Sequence, residues 1–226
     1  MPMIWAEISW SPLNAFFNMT SIAFYSKHLT GTLRILAALL LSVAISSCEV
    51  DDPEKEEVPE LITKVILRFE SETGGEAIVA TATDPDGEGV GDIEIDQPIK
   101  LALMTSYSLE IMLVNDLADI TQPEYDVSEE VREEAGEHMF FFEWTDNLFA
   151  VPSGSGNIEN SAGIVGYLDE DENGLPLGLE TKWTTSGPAT GEFRIVLKHQ
   201  PDLKSAQSDA RTGETDLDVV LPVNVE

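Results

Sequence analysis

Downstream of residue 60, apolar and polar side chains alternate with a period of two. Val65, Leu67 and Phe69 are interleaved with Lys64, Ile66 and Arg68, and Ile78, Ala80 and Ala82 with Val79 and Thr81. Tyr107, Leu109, Ile111 and Leu113 make a longer run with Ser108 and Glu110 between them. His138–Trp144 is an aromatic strand, and Ile164–Leu168, Leu179–Thr185, Phe193–His199 and Leu217–Val223 complete eight predicted strands. Alternation over four to eight residues is the mark of a half-buried strand. Turn residues separate the runs: Thr73-Gly74-Gly75, 84–91, 153–156, Ser186-Gly187-Pro188 and Thr212-Gly213. One short helix is expected over Ser128–Glu137, capped by Ser128, with Val131 and Ala135 four apart on one side. The pattern predicts an all-β domain, an antiparallel immunoglobulin-like β-sandwich with one short helix, over residues 61–226. The run Phe140-Phe141-Phe142 puts aromatics on both faces of one strand, so that either the strand is covered on both sides, with the helix as the expected cover, or Phe141 and Met139 form an exposed patch.

The first part of the chain follows a different pattern. Leu33–Ile45, LRILAALLLSVAI, is a short apolar run preceded by Lys27 and carrying Arg34, and it ends at Ile45-Ser46-Ser47-Cys48. A basic segment, a short apolar stretch and small residues make a signal-peptide pattern, too short to span a bilayer comfortably. The small residues before a lone Cys resemble the bacterial lipobox, which implies lipidation at Cys48 and a signal peptide over 1–47. Read from Met19, that segment has 29 residues, 19–47, before Cys48. Residues 1–18, with Trp5, Trp10, Phe16 and Phe17 in no clean period, are therefore expected to be an over-extended gene start, with an N-terminal fusion or second anchor as the alternative. Glu49–Glu60, EVDDPEKEEVPE, holds seven acids, two prolines and two apolar residues. It cannot bury enough surface to offset the entropy of ordering, so residues 48–60 read as a flexible acidic tether.

Composition narrows the function. The chain has 226 residues, 42 acidic and 12 basic side chains, and a net charge of −30. Only Glu7, Lys27 and Arg34 precede Cys48, so 48–226 carries 41 acids and 10 bases, a net of −31. No basic footprint for nucleic acid or anionic lipid exists. The 42% of apolar residues is too high for a disordered acidic chain. A chain of this length buries about 70% of its unfolded surface, enough for one core. The single Cys excludes an intrachain disulfide.

The order of segments carries a resemblance. The acidic tether, the D-P-D-G turn, E-E-A-G-E-H-M-F-F-F, D-E-D-E-N-G-L-P-L-G-L-E-T, L-K-H-Q-P and the final G-E-T-D-L-D-V resemble a family of small, uncharacterised flavobacterial lipoproteins of the Bacteroidota, over nearly all of 48–226. The resemblance implies an outer-membrane lipoprotein facing the periplasm or the cell surface, and the acidic run after Cys48 resembles the surface-export signal of such proteins. Some members carry a type 1 periplasmic-binding label. That label implies a doubly wound α/β fold, and this chain lacks the alternating strand and helix patterns it requires.

Three groups of residues could carry chemistry. Asp169, Asp171 and Asn173, then Gly174 and Glu180 at the twelfth position, have the spacing of a calcium loop. Alternate side chains of a tight turn present hard oxygens, the glycine allows the bend, and a later carboxylate closes the shell. The flanks read as strands rather than helices, and Pro176 stands where such a loop uses a backbone N–H. This is thus a calcium turn between strands or an ordinary acidic hairpin. Asp84, Asp86 and Glu88, with Asp92 beyond, form a second acidic turn without a distant closing ligand. His138 and His199, the only histidines after Cys48, share strand parity with core residues. The two imidazoles could take zinc or copper with a carboxylate such as Glu137 or Asp202; the alternative is two hydrogen-bonded edge histidines. No G-x-S-x-G, H-E-x-x-H or G-x-x-x-x-G-K-[ST] is present, and among so many carboxylates no pair stands out as a glycosidase couple. The expectation is a lipid-anchored binding or interaction module, with calcium as its candidate cofactor, for a soluble ligand, a glycan or an envelope protein. A carboxylate-based hydrolase and a structural subunit of an envelope complex are the alternatives.

Overall fold

Strand β5 (Ser106–Val114) is the spine of the first sheet: buried and half-buried residues alternate along all nine positions. It pairs antiparallel with β1 (Lys64–Ser71) on one side and β9 (Glu180–Thr185) on the other. The computed structural model describes residues 60–85, 93–158 and 164–226, all within the compact unit Glu57–Glu226. The signal segment, Cys48, the tether up to residue 59 and the acidic positions Asp86, Glu88 and Asp92 lie outside the described residues.

The first sheet runs β3-β2-β1-β5-β9-β7, where β2 is Ile78–Thr83, β3 Glu94–Ile95 and β7 Phe149–Val151; β8 (Gly166–Tyr167) pairs with β9 off this path. The second runs β4-β11-β10-β6, where β4 is Ile99–Leu101, β6 His138–Trp144, β10 Ala189–His199 and β11 Glu214–Val225. One core lies between the sheets. Trp183 from β9 packs at 5.5 Å from Phe142 and 4.9 Å from Phe193 of the facing sheet, so aromatic side chains tie the two layers together. The all-β sandwich expected from the alternation is therefore the architecture found. Among the described residues no helix is long and apolar enough to cross a membrane.

Four details depart from the sequence reading. The β11–β4 pair is parallel, so the second sheet is mixed. Three short strands, β3, β4 and β7, have too few residues to show a period. The helix, α1, spans Val127–Glu133 and is capped by Asp126, whose side chain accepts the Glu129 N–H at 3.3 Å. Ser128 is instead buried, with its hydroxyl bonded to both the N–H and the carbonyl of Leu113. Finally, α1 places Val127 and Val131 in the main core, whereas Met139 and Phe141 are covered by Ile158 and Val196, with Tyr167 and Ala210 against them.

The outer edge of β6 is closed as well. Asn157 accepts the Phe142 N–H through its side chain at 2.8 Å, Leu177 O accepts the Phe140 N–H at 2.8 Å, and Tyr167 donates to Phe140 O at 2.7 Å. These contacts remove the free edge that would otherwise invite strand addition.

Candidate metal centre

His138 opens β6 and His199 closes β10, and the register makes them direct cross-strand partners. Each has the parity of its core-facing neighbours, Phe140 and Leu197, so both rings point inward at one end of the second sheet. The rings stack with centroids 4.6 Å apart and planes 8° from parallel. His138 is fully buried and His199 nearly so. Among the described residues, Glu134, His138 and His199 are the one group of three or more His, Cys, Asp or Glu whose ligand atoms all lie within 4.8 Å of one another.

The chain between α1 and β6 sets the first ring. Glu134 is the C-cap of α1, and its carbonyl accepts the Glu137 N–H at 2.8 Å. The same carbonyl lies 3.2 Å from His138 Nδ1. A carbonyl can only accept, so Nδ1 of the neutral ring carries the proton and Nε2 carries the lone pair. Nε2 lies 3.7 Å from Asp216 Oδ2 and 4.0 Å from Glu60 Oε1. His199 Nε2 lies 3.4 Å from Glu137 Oε2.

Asp216 reaches this place through a backbone irregularity. Leu197 pairs with Leu217, but Lys198 pairs with Thr215, so Asp216 is the extra residue of a β-bulge. Simple alternation would put Asp216 on the outer face with Asp218, which pairs with Arg194 there at 2.7 Å. The bulge re-aims it. Its side chain is fully buried; among the described residues no side chain donates a hydrogen bond to either oxygen, and the Glu60 backbone N–H is the donor that faces them. Gly213, at φ +76°, leads into this stretch, and a Cβ there would run into the His199 carbonyl oxygen, so only glycine lets the start of β11 approach His199 this closely.

Acidic charge dominates the cluster. Burial pushes the Asp216 carboxyl up to about 6, with His199 and Lys198 pulling it down and Glu214 adding to the rise; the Glu60 backbone amide also lowers it. Glu60 is pushed up to about 7, first by burial and then by repulsion from Glu130 and a shared hydrogen bond with it, while His199 opposes the rise. A divalent cation that bound here would displace protons from such carboxylates. The donor set suits such an ion chemically, since imidazole nitrogen with carboxylate oxygen is a transition-metal set rather than a calcium set. Parallel rings cannot both aim a lone pair at one ion, so binding requires one imidazole to turn about its soft Cβ–Cγ torsion.

The acidic turn at 169–180 is held by other means. Asp169 accepts the N–H of Gly178 at 2.7 Å and of Glu180 at 3.1 Å. Asp171 Oδ1 accepts the N–H of Asn173 at 2.8 Å and of Leu175 at 2.9 Å, and Oδ2 faces Lys204 Nζ at 3.0 Å. Gly178, at φ +105°, comes so close to β6 that a Cβ there would lie 2.7 Å from that of Phe140. The side chains of Asn173 and Glu180 are exposed. The four residues named from the spacing are therefore not gathered on one point: the two aspartates brace the turn from inside and the other two face solvent. Asp84 is half-buried, and its N–H donates to Thr63 O at 2.8 Å.

Of the carboxylates that the sequence suggested beside the histidines, Glu137 is in place, whereas Asp202 sits exposed in the left-handed turn after β10 at φ +57°. Glu134 and Asp216 were missed. Glu134 lies four residues before His138, a spacing that a helix end brings together; Asp216 left no signal, because its parity with Asp218 points outward. Comparison with family models, with curated proteins and with solved structures finds no match for this chain.

Proposed function

We propose that the protein is an outer-membrane lipoprotein, anchored through Cys48, whose β-sandwich acts as a binding module built around a divalent transition-metal ion. His138, His199 and Glu134 are its ligands. One observation carries this reading: three ligand-bearing side chains from α1, β6 and β10 converge within 4.8 Å at a buried end of the second sheet, where their own backbone positions them. Two imidazoles favour zinc or copper over calcium, because soft-to-borderline ions prefer nitrogen and calcium prefers six to eight oxygens. Both imidazoles are buried, which suits a structural or ligand-presenting ion better than one turning over a substrate.

The test is calorimetric titration of the purified full-length protein with zinc, with magnesium as the control for charge screening. Saturable binding of one zinc per chain is expected, lost in His138→Ala and in His199→Ala. A parent protein that takes up zinc no better than magnesium would remove the reading.

A further inference from the structure

Resting on the metal reading above, the geometry points to Asp216 as a further ligand of that ion: it lies outside the group within 4.8 Å but beside His138, and on closing it would complete a four-ligand centre of two imidazoles and two carboxylates of the kind that zinc occupies. Three observations converge on it. First, Asp216 Oδ2 lies 3.7 Å from His138 Nε2, the nitrogen that carries the lone pair. Ligand atoms about 2.0 Å from a tetrahedral zinc stand about 3.3 Å from one another, so a small closing movement brings this pair onto one ion. Second, the Asp216 side chain is fully buried, and among the described residues no side chain donates a hydrogen bond to its two oxygens; the Glu60 backbone N–H is the donor that faces them. One backbone N–H is little to set against a buried carboxylate, and a group left so under-compensated has room for a further partner. Third, its position depends on the bulge opposite Leu197 and Lys198, a distortion that interrupts the ladder in order to turn one side chain inward.

The alternatives for this carboxylate fit less well. Arg194 and Lys204 are engaged by Asp218 and Asp171. The Lys198 ammonium donates to Thr215 Oγ1 at 2.7 Å. The nearby side chains that could share a cation with Asp216 are the two imidazoles and Glu60, whose Oε1 lies 4.0 Å from His138 Nε2.

The experiment uses the full-length parent, Asp216→Asn and His199→Ala, each titrated with zinc and, separately, with cobalt(II). Asparagine keeps the shape and removes the charge, so Asp216→Asn should fold, with a metal-free melting temperature no lower than the parent's. The expected result is a zinc affinity at least about tenfold weaker in Asp216→Asn. The intense visible absorption of four-coordinate cobalt should be present in the parent and weakened in that variant, a signature that a merely structural role would not move. Zinc binding lost in His199→Ala but unchanged in Asp216→Asn, with an unchanged cobalt spectrum, overturns the assignment of Asp216 alone. A parent that binds neither ion, or binding untouched by His199→Ala, overturns the metal reading and this assignment with it.

Discussion

Asp171 and Lys204 form an ion pair of 3.0 Å in which each side chain is only 1% exposed. The pair joins the turn after β8 to the loop after β10, and Lys204 also donates to the Ala135 carbonyl at 2.6 Å beyond α1. One ammonium thus ties together three segments that lie far apart in the chain.

Removing either member alone leaves the other buried and uncompensated. Lys204→Ala or Asp171→Ala should therefore destabilise the protein by about 3–5 kcal/mol. Replacing both with apolar residues of similar size should cost much less. Denaturant unfolding of the two single variants and of Lys204→Met with Asp171→Leu measures the difference; additive losses in the double variant would mean that the two side chains act independently.

The same aspartate gives a pH dependence with a definite sign. Burial raises its carboxyl, but the N–H groups of Leu175 and Asn173 and the Lys204 ammonium more than offset this and hold it below its ordinary 3.8. A depressed carboxylate stabilises the fold at pH above that ordinary value, and the contribution is lost as pH falls through the depressed one. Denaturant midpoints taken from neutral pH downward should thus drop more steeply below about pH 4 in the parent than in Asp171→Asn. Parallel curves would show that Asp171 titrates as it does in the unfolded chain.

Calcium at 169–180 would have to displace contacts that already exist, since Asp169 and Asp171 accept four backbone N–H groups between them. Calcium and magnesium at equal millimolar concentration should raise the melting temperature equally, by screening the negative charge. A calcium-specific rise that disappears in Glu180→Gln would show a true ion shell at this turn.

Phe142 is fully buried and meets Trp183 and Phe193 across and along the core. Phe142→Ala should lose about 3–5 kcal/mol, because the surrounding rings cannot collapse into the space left. A loss below about 1 kcal/mol would mean that the two sheets repack freely around the vacancy.

Lipidation at Cys48 supplies the only strong membrane attachment in the proposed function. Cys48→Ser should leave the protein soluble or unprocessed on membrane fractionation. Fractionation with the outer membrane as in the parent would separate the anchor from this residue.

Local side-chain order was enough to recover the strands that carry the core. Val65, Leu67 and Phe69 are buried at alternate positions, as are Tyr107, Leu109, Ile111 and Leu113, because a strand turns successive side chains to opposite faces whatever it pairs with. The same rule placed His138 and His199 inward. What it could not give was pairing. That His138 faces His199 depends on the register of β6 against β10, and that Lys204 reaches Asp171 depends on two loops folding over the outer face of one sheet; contacts between residues so distant in the chain leave no local pattern. The calcium-like spacing at Asp169–Glu180 shows the converse: the spacing is real, but the carboxylates turned to the nearest backbone N–H groups and to a lysine from elsewhere. Asp216 is the clearest case. Its sequence neighbours put it outside, and one extra residue in the ladder puts it inside, because a bulge reverses the parity that every sequence argument about strands relies on.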